Sequence, residues 1–300
     1  MTKQLRGCIT LALATIIWGS TFIFQRVATA HIEPFTFQAI RCLLAVIFLL
    51  PVIWLFDRKK NDGSNYLRRW ADPKLWLGGT LCGIPLFLAC NLQQLGLVDT
   101  DAGKSAFLTA MYIVIVPIIG VFLKKKTSKL IPVSLVLAVI GLYFLSCVGV
   151  TSVSFSDLLL LGCALMFAVQ ITFVDIFAPK VDPMRLNVVQ VTVCTLLSTI
   201  VAVCTESVSF DAVRISWLPL CYAGILSMGT AYCMQIFGQR DVEPATASLI
   251  MSLESVFALL CGVIFLNEIM RPHEIVGCIL LFIAVILPQL PALITAKTHP

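Results

Sequence analysis

One acid in this sequence stands where an acid needs a chemical reason. Glu254 interrupts a stretch of apolar and small side chains that opens at Glu243-Pro244-Ala245 and closes at Leu266, about 22 residues in all. A helix of about 20 residues already crosses roughly 30 Å of hydrocarbon. Counted from Pro244, a natural first helical residue, Glu254 lies about 15 Å deep. At that depth a carboxylate costs several kcal/mol unless it is partnered, protonated or wetted. A neutral carboxyl in a packing hydrogen bond meets the requirement. An acid that takes up a proton in one orientation and releases it in the other meets it too, and that reading makes Glu254 a coupling candidate.

Other residues sit at matching depths. Trp18-Gly19-Ser20-Thr21-Phe22 falls near the middle of the first apolar stretch. Trp18 brings an N–H donor and a π face beside a Gly notch suited to helix packing, and Ser20 and Thr21 add hydroxyls. Arg41 stands seven residues after Pro34, about 10 Å inside the boundary. There it either snorkels outward, pairs with an acid, or offers a planar bidentate donor to a substrate carboxylate. Asn91 and Gln94 in the third apolar stretch, Tyr112 in the fourth, Gln170 and Gln190 in the sixth and seventh, and Gln235 in the eighth complete the set of candidate lining residues.

Several chemistries are excluded. Gly103-Lys104-Ser105 resembles the tail of a phosphate-binding loop, but Val98 stands where that loop needs Gly. No His-Glu-x-x-His pair or Gly-x-Ser-x-Gly elbow is present, so no intramembrane enzyme is indicated. The twelve cysteines form no Cys-x-x-Cys pair and the three histidines stand near segment ends, which gives neither a metal site nor a disulfide framework. No cofactor is implied.

The elements that must position these side chains follow from composition. The chain is 59% hydrophobic and 12% charged, with mean hydropathy +0.98, where a soluble domain carries about a quarter charged residues. This is an all-α polytopic membrane protein. Its apolar windows give ten helices, at about 8–30, 35–56, 74–95, 102–123, 130–149, 156–178, 184–204, 215–237, 244–266 and 274–294. The first is too long for a signal-peptide core, which predicts that it is retained. Basic residues crowd the loop from Asp57 to Asp72 and the connection at Lys124-Lys125-Lys126, and most others fall on the same side, which predicts cytoplasmic N and C termini. Orientation thus explains the net charge of +5, and nucleic acid is not an expected partner.

The chain also repeats itself. A shift of 149 positions lays Trp18 on Phe167, Arg26 on Asp175, Glu33-Pro34 on Asp182-Pro183 and Arg41 on Gln190. A shift of 142 lays Gln93 on Gln235, Gly96 on Gly238, Asp99 on Asp241, Tyr112 on Glu254 and Gly120 on Gly262. Two copies of five helices follow, at 1–150 and 151–300. Because five is odd, the second copy enters from the opposite side, an inverted-topology repeat of the kind that holds a binding site near the midplane and moves around it for alternating access.

At this point the sequence resembles the EamA type of the drug/metabolite transporter superfamily, with two tandem EamA-like units over nearly the whole chain. The resemblance rests on Trp18-Gly19-Ser20-Thr21-Phe22, on Phe37-x-x-x-Arg41-x-x-x-Ala45, on the run from Gln94-x-Gly96 through Ala102-Gly103-Lys104 to Val116-Pro117, and on Ala245-x-Ala247-Ser248-Leu249 with Leu253-Glu254 and Leu266-Asn267-Glu268. It departs at Ser255, where the family often has Pro, and at Asn267, where Gly often precedes the second Glu. The resemblance implies an inner-membrane carrier, often an exporter of amino acids or related metabolites and sometimes proton-driven. Its cavity would be lined by helices one to four and six to nine, with five and ten peripheral. The expected partners are a small-molecule substrate, the lipid bilayer and protons, and the expected assembly is a monomer or homodimer. The alternatives are a passive facilitator or exchanger with a purely structural Glu254, an intramembrane enzyme acting on a lipid-linked substrate, which the missing catalytic constellation disfavours, and a non-transporting sensor or assembly subunit.

Overall fold

The computed structural model describes residues 3–60, 69–100, 102–125, 128–146, 148, 154–207, 209–266 and 269–289. Their helices are α1 (Lys3–Thr29), α2 (Pro34–Lys60), α3 (Pro73–Gly96), α4a (Ala102–Ala110), α4b (Tyr112–Phe122), α5 (Ile131–Ser146), α6 (Phe155–Phe177), α7 (Pro183–Thr205), α8 (Trp217–Gln239), α9a (Pro244–Met251), α9b (Glu254–Leu266) and α10 (Pro272–Ile286). Among the described residues nine spans are long and apolar enough to cross a membrane, and α5 is a shorter apolar helix.

Local chemistry starts these helices where they start. Asp72 accepts from Lys74 N at 2.9 Å ahead of Pro73, and Asp182 accepts from Arg185 N at 3.0 Å ahead of Pro183. Ser154 and Asp157 form a reciprocal capping box at α6. The exterior carries large apolar side chains such as Leu55, Val136, Leu196 and Ile279, while Gln38, Gln94, Gln170, Asn187 and Gln190 are fully buried. That inversion of the soluble pattern is what a hydrocarbon solvent selects.

Two boundaries and the course of three helices differ from the sequence reading. α1 begins at Lys3 and α2 runs to Lys60, beyond the apolar windows, because hydrocarbon thickness limits the apolar run and not the helix. The fourth and ninth helices, expected to be continuous, are each broken, at Met111 and at Ser252-Leu253. The eighth is preceded by a separate short helix, Phe210–Ile215, and changes to π geometry over Tyr222–Ala231. The expected end of the tenth helix, most of the junction between the repeats, and Asn267-Glu268 lie outside the described residues.

The packing carries the two-fold relation seen in the sequence. α1 packs on α8 and α9b, and correspondingly α6 packs on α3 and α4b. α2 on α8 is matched by α7 on α3, while α2 with α7 and α5 with α10 are self-matching pairs. α9a lies on α4b and α9b on α4a, so the two broken helices cross at their breaks.

The peripheral pair α5 and α10 approaches backbone to backbone. A Cβ on Gly277 would lie 2.6 Å from Gly141 O and 2.7 Å from Leu145 N, and rigid backbone cannot yield as a side chain can. Gly277→Ala should therefore lower stability by about 1–3 kcal/mol, read as an earlier midpoint in detergent unfolding. Unchanged stability would show that this contact is looser than the geometry here.

Candidate functional site

The crossing of the broken helices is where the candidate residues meet. Tyr112 opens α4b and Glu254 opens α9b, and the Tyr112 hydroxyl donates to Glu254 Oε1 at 3.1 Å. These two residues are repeat mates, so their hydrogen bond spans the pseudo-two-fold axis. The breaks need no proline at 255. Tight turns replace helical bonds at both places, with Val114 N on Met111 O at 3.0 Å and Ser255 N on Ser252 O at 3.2 Å. Ser252 Oγ also donates to Leu249 O at 2.7 Å, competing for a helical carbonyl.

α1 supplies the next wall. A Cβ on Gly19 would lie 2.7 Å from Glu254 O and 2.6 Å from the Phe257 Cβ, so only glycine lets α1 lie this close to α9b. That approach seats Trp18 beside the acid's helix. The Trp18 ring meets Tyr232 edge-on, centroids 5.1 Å apart, and its Nε1 has no hydrogen-bond partner.

Together these side chains line a narrow pocket between the repeats. Of the residues nominated from sequence, Trp18, Thr21, Arg41, Tyr112, Gln235 and Glu254 line it. Ser20, Asn91, Gln94, Gln170 and Gln190 do not: each is engaged behind the lining. Ser20 bonds to the Tyr222 hydroxyl, Asn91 donates to Phe87 O and Ser198, and Gln94 accepts from Gln25. Gln170 donates to Gln190 and accepts from Gln235, while Gln190 donates to Asn187. Asn187 in turn donates at 3.0 Å to both Met228 O and Gly229 O, carbonyls in the π segment of α8.

Sequence reasoning missed Gln25, Ser227, Tyr232, Met228 and Met251, and two residues that the repeat itself points to. Phe167 lies at the position of Trp18 and Gln93 at that of Gln235, and both line the cavity. Tyr112 also meets Phe167 edge-on, centroids 6.4 Å apart.

The charges of the cavity are arranged unusually. Arg41 is only 2% exposed, so it does not snorkel, and no carboxylate lies within ion-pair distance of it among the described residues. It donates through Nε to Gln38 and lies 5.4 Å from the Phe37 ring centroid. Glu254 is 6% exposed, with Tyr112 as its hydrogen-bond donor. One buried cation and one buried acid thus face a common space without neutralising each other. By contrast Asp175 pairs with Lys125.

The EamA-like transporter family matches residues 5–147 and again 154–288. The chain belongs to this family. An "Uncharacterized transporter" of Archaeoglobus fulgidus is 32% identical over 289 residues, 96% of this chain and 87% of its own length. The "Uncharacterized transporter YoaV" of Bacillus subtilis is 23% identical, covering 94% of each chain. A solved crystal structure, 15% identical, superposes with a TM-score of 0.78 over 99% of both chains, which shows the shared fold alone. An EamA-family chain with membrane-spanning helices is a membrane transporter, and its polytopic all-α architecture of two repeats is the one expected from its sequence.

Trp18 gives a direct check on the lining. Its ring packs on Tyr232 while its Nε1 donor is unused. Trp18→Ala should reduce transport more than Trp18→Phe does at near-normal expression, since Phe keeps the ring contact. Normal transport by both variants would remove Trp18 from the site, and loss of folding in both would assign it to packing.

Proposed function

We propose that this protein is a secondary transporter, an exporter of small metabolites such as amino acids, that alternates access around the cavity between its repeats and is coupled to protons through Glu254. The observation that carries the reading is that Arg41 and the titratable Glu254, both buried and not paired with each other, line one pocket at the crossing of two broken helices. Arg41 offers a fixed bidentate donor to a carboxylate, and the tyrosine-bonded acid offers a second polar anchor whose charge can change. Apolar walls from Phe22, Phe167, Ile171, Met228 and Met251 exclude water around the remainder of a bound molecule.

The Tyr112–Glu254 hydrogen bond favours a second reading, a passive facilitator with a structural acid, whose flux would ignore a pH gradient. Efflux from whole cells against a panel of amino acids and related metabolites tests the proposal: expression should lower the internal level of one compound class, and no effect across the panel would remove the exporter reading. The proposal also places both termini in the cytoplasm of a cell-membrane protein. A cysteine replacing Gly63 on a cysteine-free background should then be protected from impermeant thiol reagents in intact cells.

A further inference from the structure

α2 and α7 are repeat mates packed on one another, and each holds the beginning of the other with an acid at its own end. Near the end of α2, Asp57 forms an ion pair with Arg185 in the first turn of α7, and Arg69 pairs with Asp57 at 2.7 Å. At the end of α7, Glu206 accepts from Phe35 N at 2.8 Å, from Thr36 N at 2.7 Å and from the Thr36 hydroxyl at 2.7 Å, in the first turn of α2. The 149-position shift lays Asp57 on Glu206 and Thr36 on Arg185. One contact is therefore the two-fold image of the other. Along α2, Thr36 and Asp57 are separated by about 30 Å, the thickness of the hydrocarbon core, so the two contacts lie at opposite faces.

We infer that these contacts are a pair of opposed latches, Asp57–Arg185 at one face and Glu206–Thr36 at the other, and that their alternate release sets which face the cavity opens to. This inference rests on the alternating-access reading above. In an inverted repeat the two end states are obtained by exchanging the conformations of the halves, so each end state releases one of two two-fold-related contacts; both are made in this structure, which on this reading is the state closed at both faces. The chemistry of the two latches is not equal. Arg185 is 2% exposed, lies 5.4 Å from the Trp70 ring centroid and also meets Asp182 at 3.5 Å, so the Asp57 latch joins two charged groups within a network. The Glu206 latch sets an acid on the first turn of a helix, where free N–H groups and the helix dipole favour it. Neither acid touches the cavity, so both act as positioning residues.

The test uses a single reporter, Ser227→Cys on the cavity wall in a cysteine-free background, labelled by an impermeant thiol reagent in spheroplasts and in inside-out vesicles. Gly63→Cys in a parallel sample identifies the Asp57 face. Asp57→Asn should raise reporter labelling from the Asp57 face at least threefold and lower it from the opposite face, and Glu206→Gln should do the reverse. Arg185→Lys and Thr36→Ala, milder changes at the same latches, should shift labelling in the same two directions and serve if the first pair fails to fold. A merely structural role would change labelling from both faces alike or not at all, and either result overturns the latch assignment while leaving transport intact. A reporter that the unaltered protein exposes to one face only would overturn alternating access and the latches with it.

Discussion

Glu254→Gln should give a folded carrier that exchanges substrate but no longer concentrates it across a pH gradient. Gln keeps the size of the side chain and an acceptor for the Tyr112 hydroxyl, so the contact at the helix crossing survives. It removes only the ability to titrate. Each pH unit across the membrane is worth 1.36 kcal/mol per proton, so one proton per substrate supports up to about 100-fold accumulation over a two-unit gradient. In the variant that ratio should fall to about one, while counterflow of labelled substrate stays within a few-fold of the unaltered protein. Paired proteoliposome assays separate the outcomes. Full pH-driven accumulation by Glu254→Gln would place coupling elsewhere, and failure to purify a monodisperse protein would make the Tyr112–Glu254 bond structural.

The elements of this fold were readable from sequence for a simple physical reason: a bilayer fixes the length of an apolar run, and prolines and acids such as Pro73 with Asp72 and Pro183 with Asp182 mark where the helices begin. The inversion was readable too, because two shifts align side chains of matching depth. The breaks at Met111 and Ser252-Leu253 were not. No proline stands at either turn, and the competing bonds come from Ser252 and from tight backbone turns whose residues are ordinary in any helix. The π segment of α8 was hidden for a similar reason, since Asn187, which holds its carbonyls, belongs to another helix.

Which face of each helix turns inward was the least readable feature. In a soluble protein the apolar stripe points to the core, but lipid is as apolar as a core, so apolar periodicity carries little directional information here. Polar type was a partial substitute. It placed Thr21 and Gln235 on the cavity but also nominated Gln94, Gln170 and Gln190, which sit one layer behind it. The repeat was the better guide. Carrying Trp18 onto Phe167 finds a lining residue that neither polarity nor motif nominates, and carrying Gln235 back onto Gln93 singles out the lining glutamine from its neighbour Gln94.

Under the proposed function Arg41 selects the class of substrate, and its replacement should have the largest effect on affinity. Arg41 is buried, carries no acid partner among the described residues, and lines the cavity, so its charge is satisfied in the loaded carrier by the substrate itself under the proposed function. Truncating one partner of a buried hydrogen-bonded charge pair costs about 2–5 kcal/mol, or roughly 30-fold to more than 1000-fold in affinity. Arg41→Gln is the informative variant, because the protein already holds glutamine at the matching place in the second repeat, Gln190, in a fully buried setting on the facing helix. It should therefore fold. Arg41→Lys should lose about as much as Gln does, since a flexible point charge does not reproduce the planar fork that Nε bonding to Gln38 holds in place. The discriminating measurement is competition by substrate analogues. For the unaltered protein, the amide or ester of a transported acid should compete far more weakly than the acid, and for Arg41→Gln that preference should shrink to a few-fold. A preference for the free carboxylate that persists in Arg41→Gln would take the anchor away from Arg41 and leave its charge a role in packing between α2 and its neighbours.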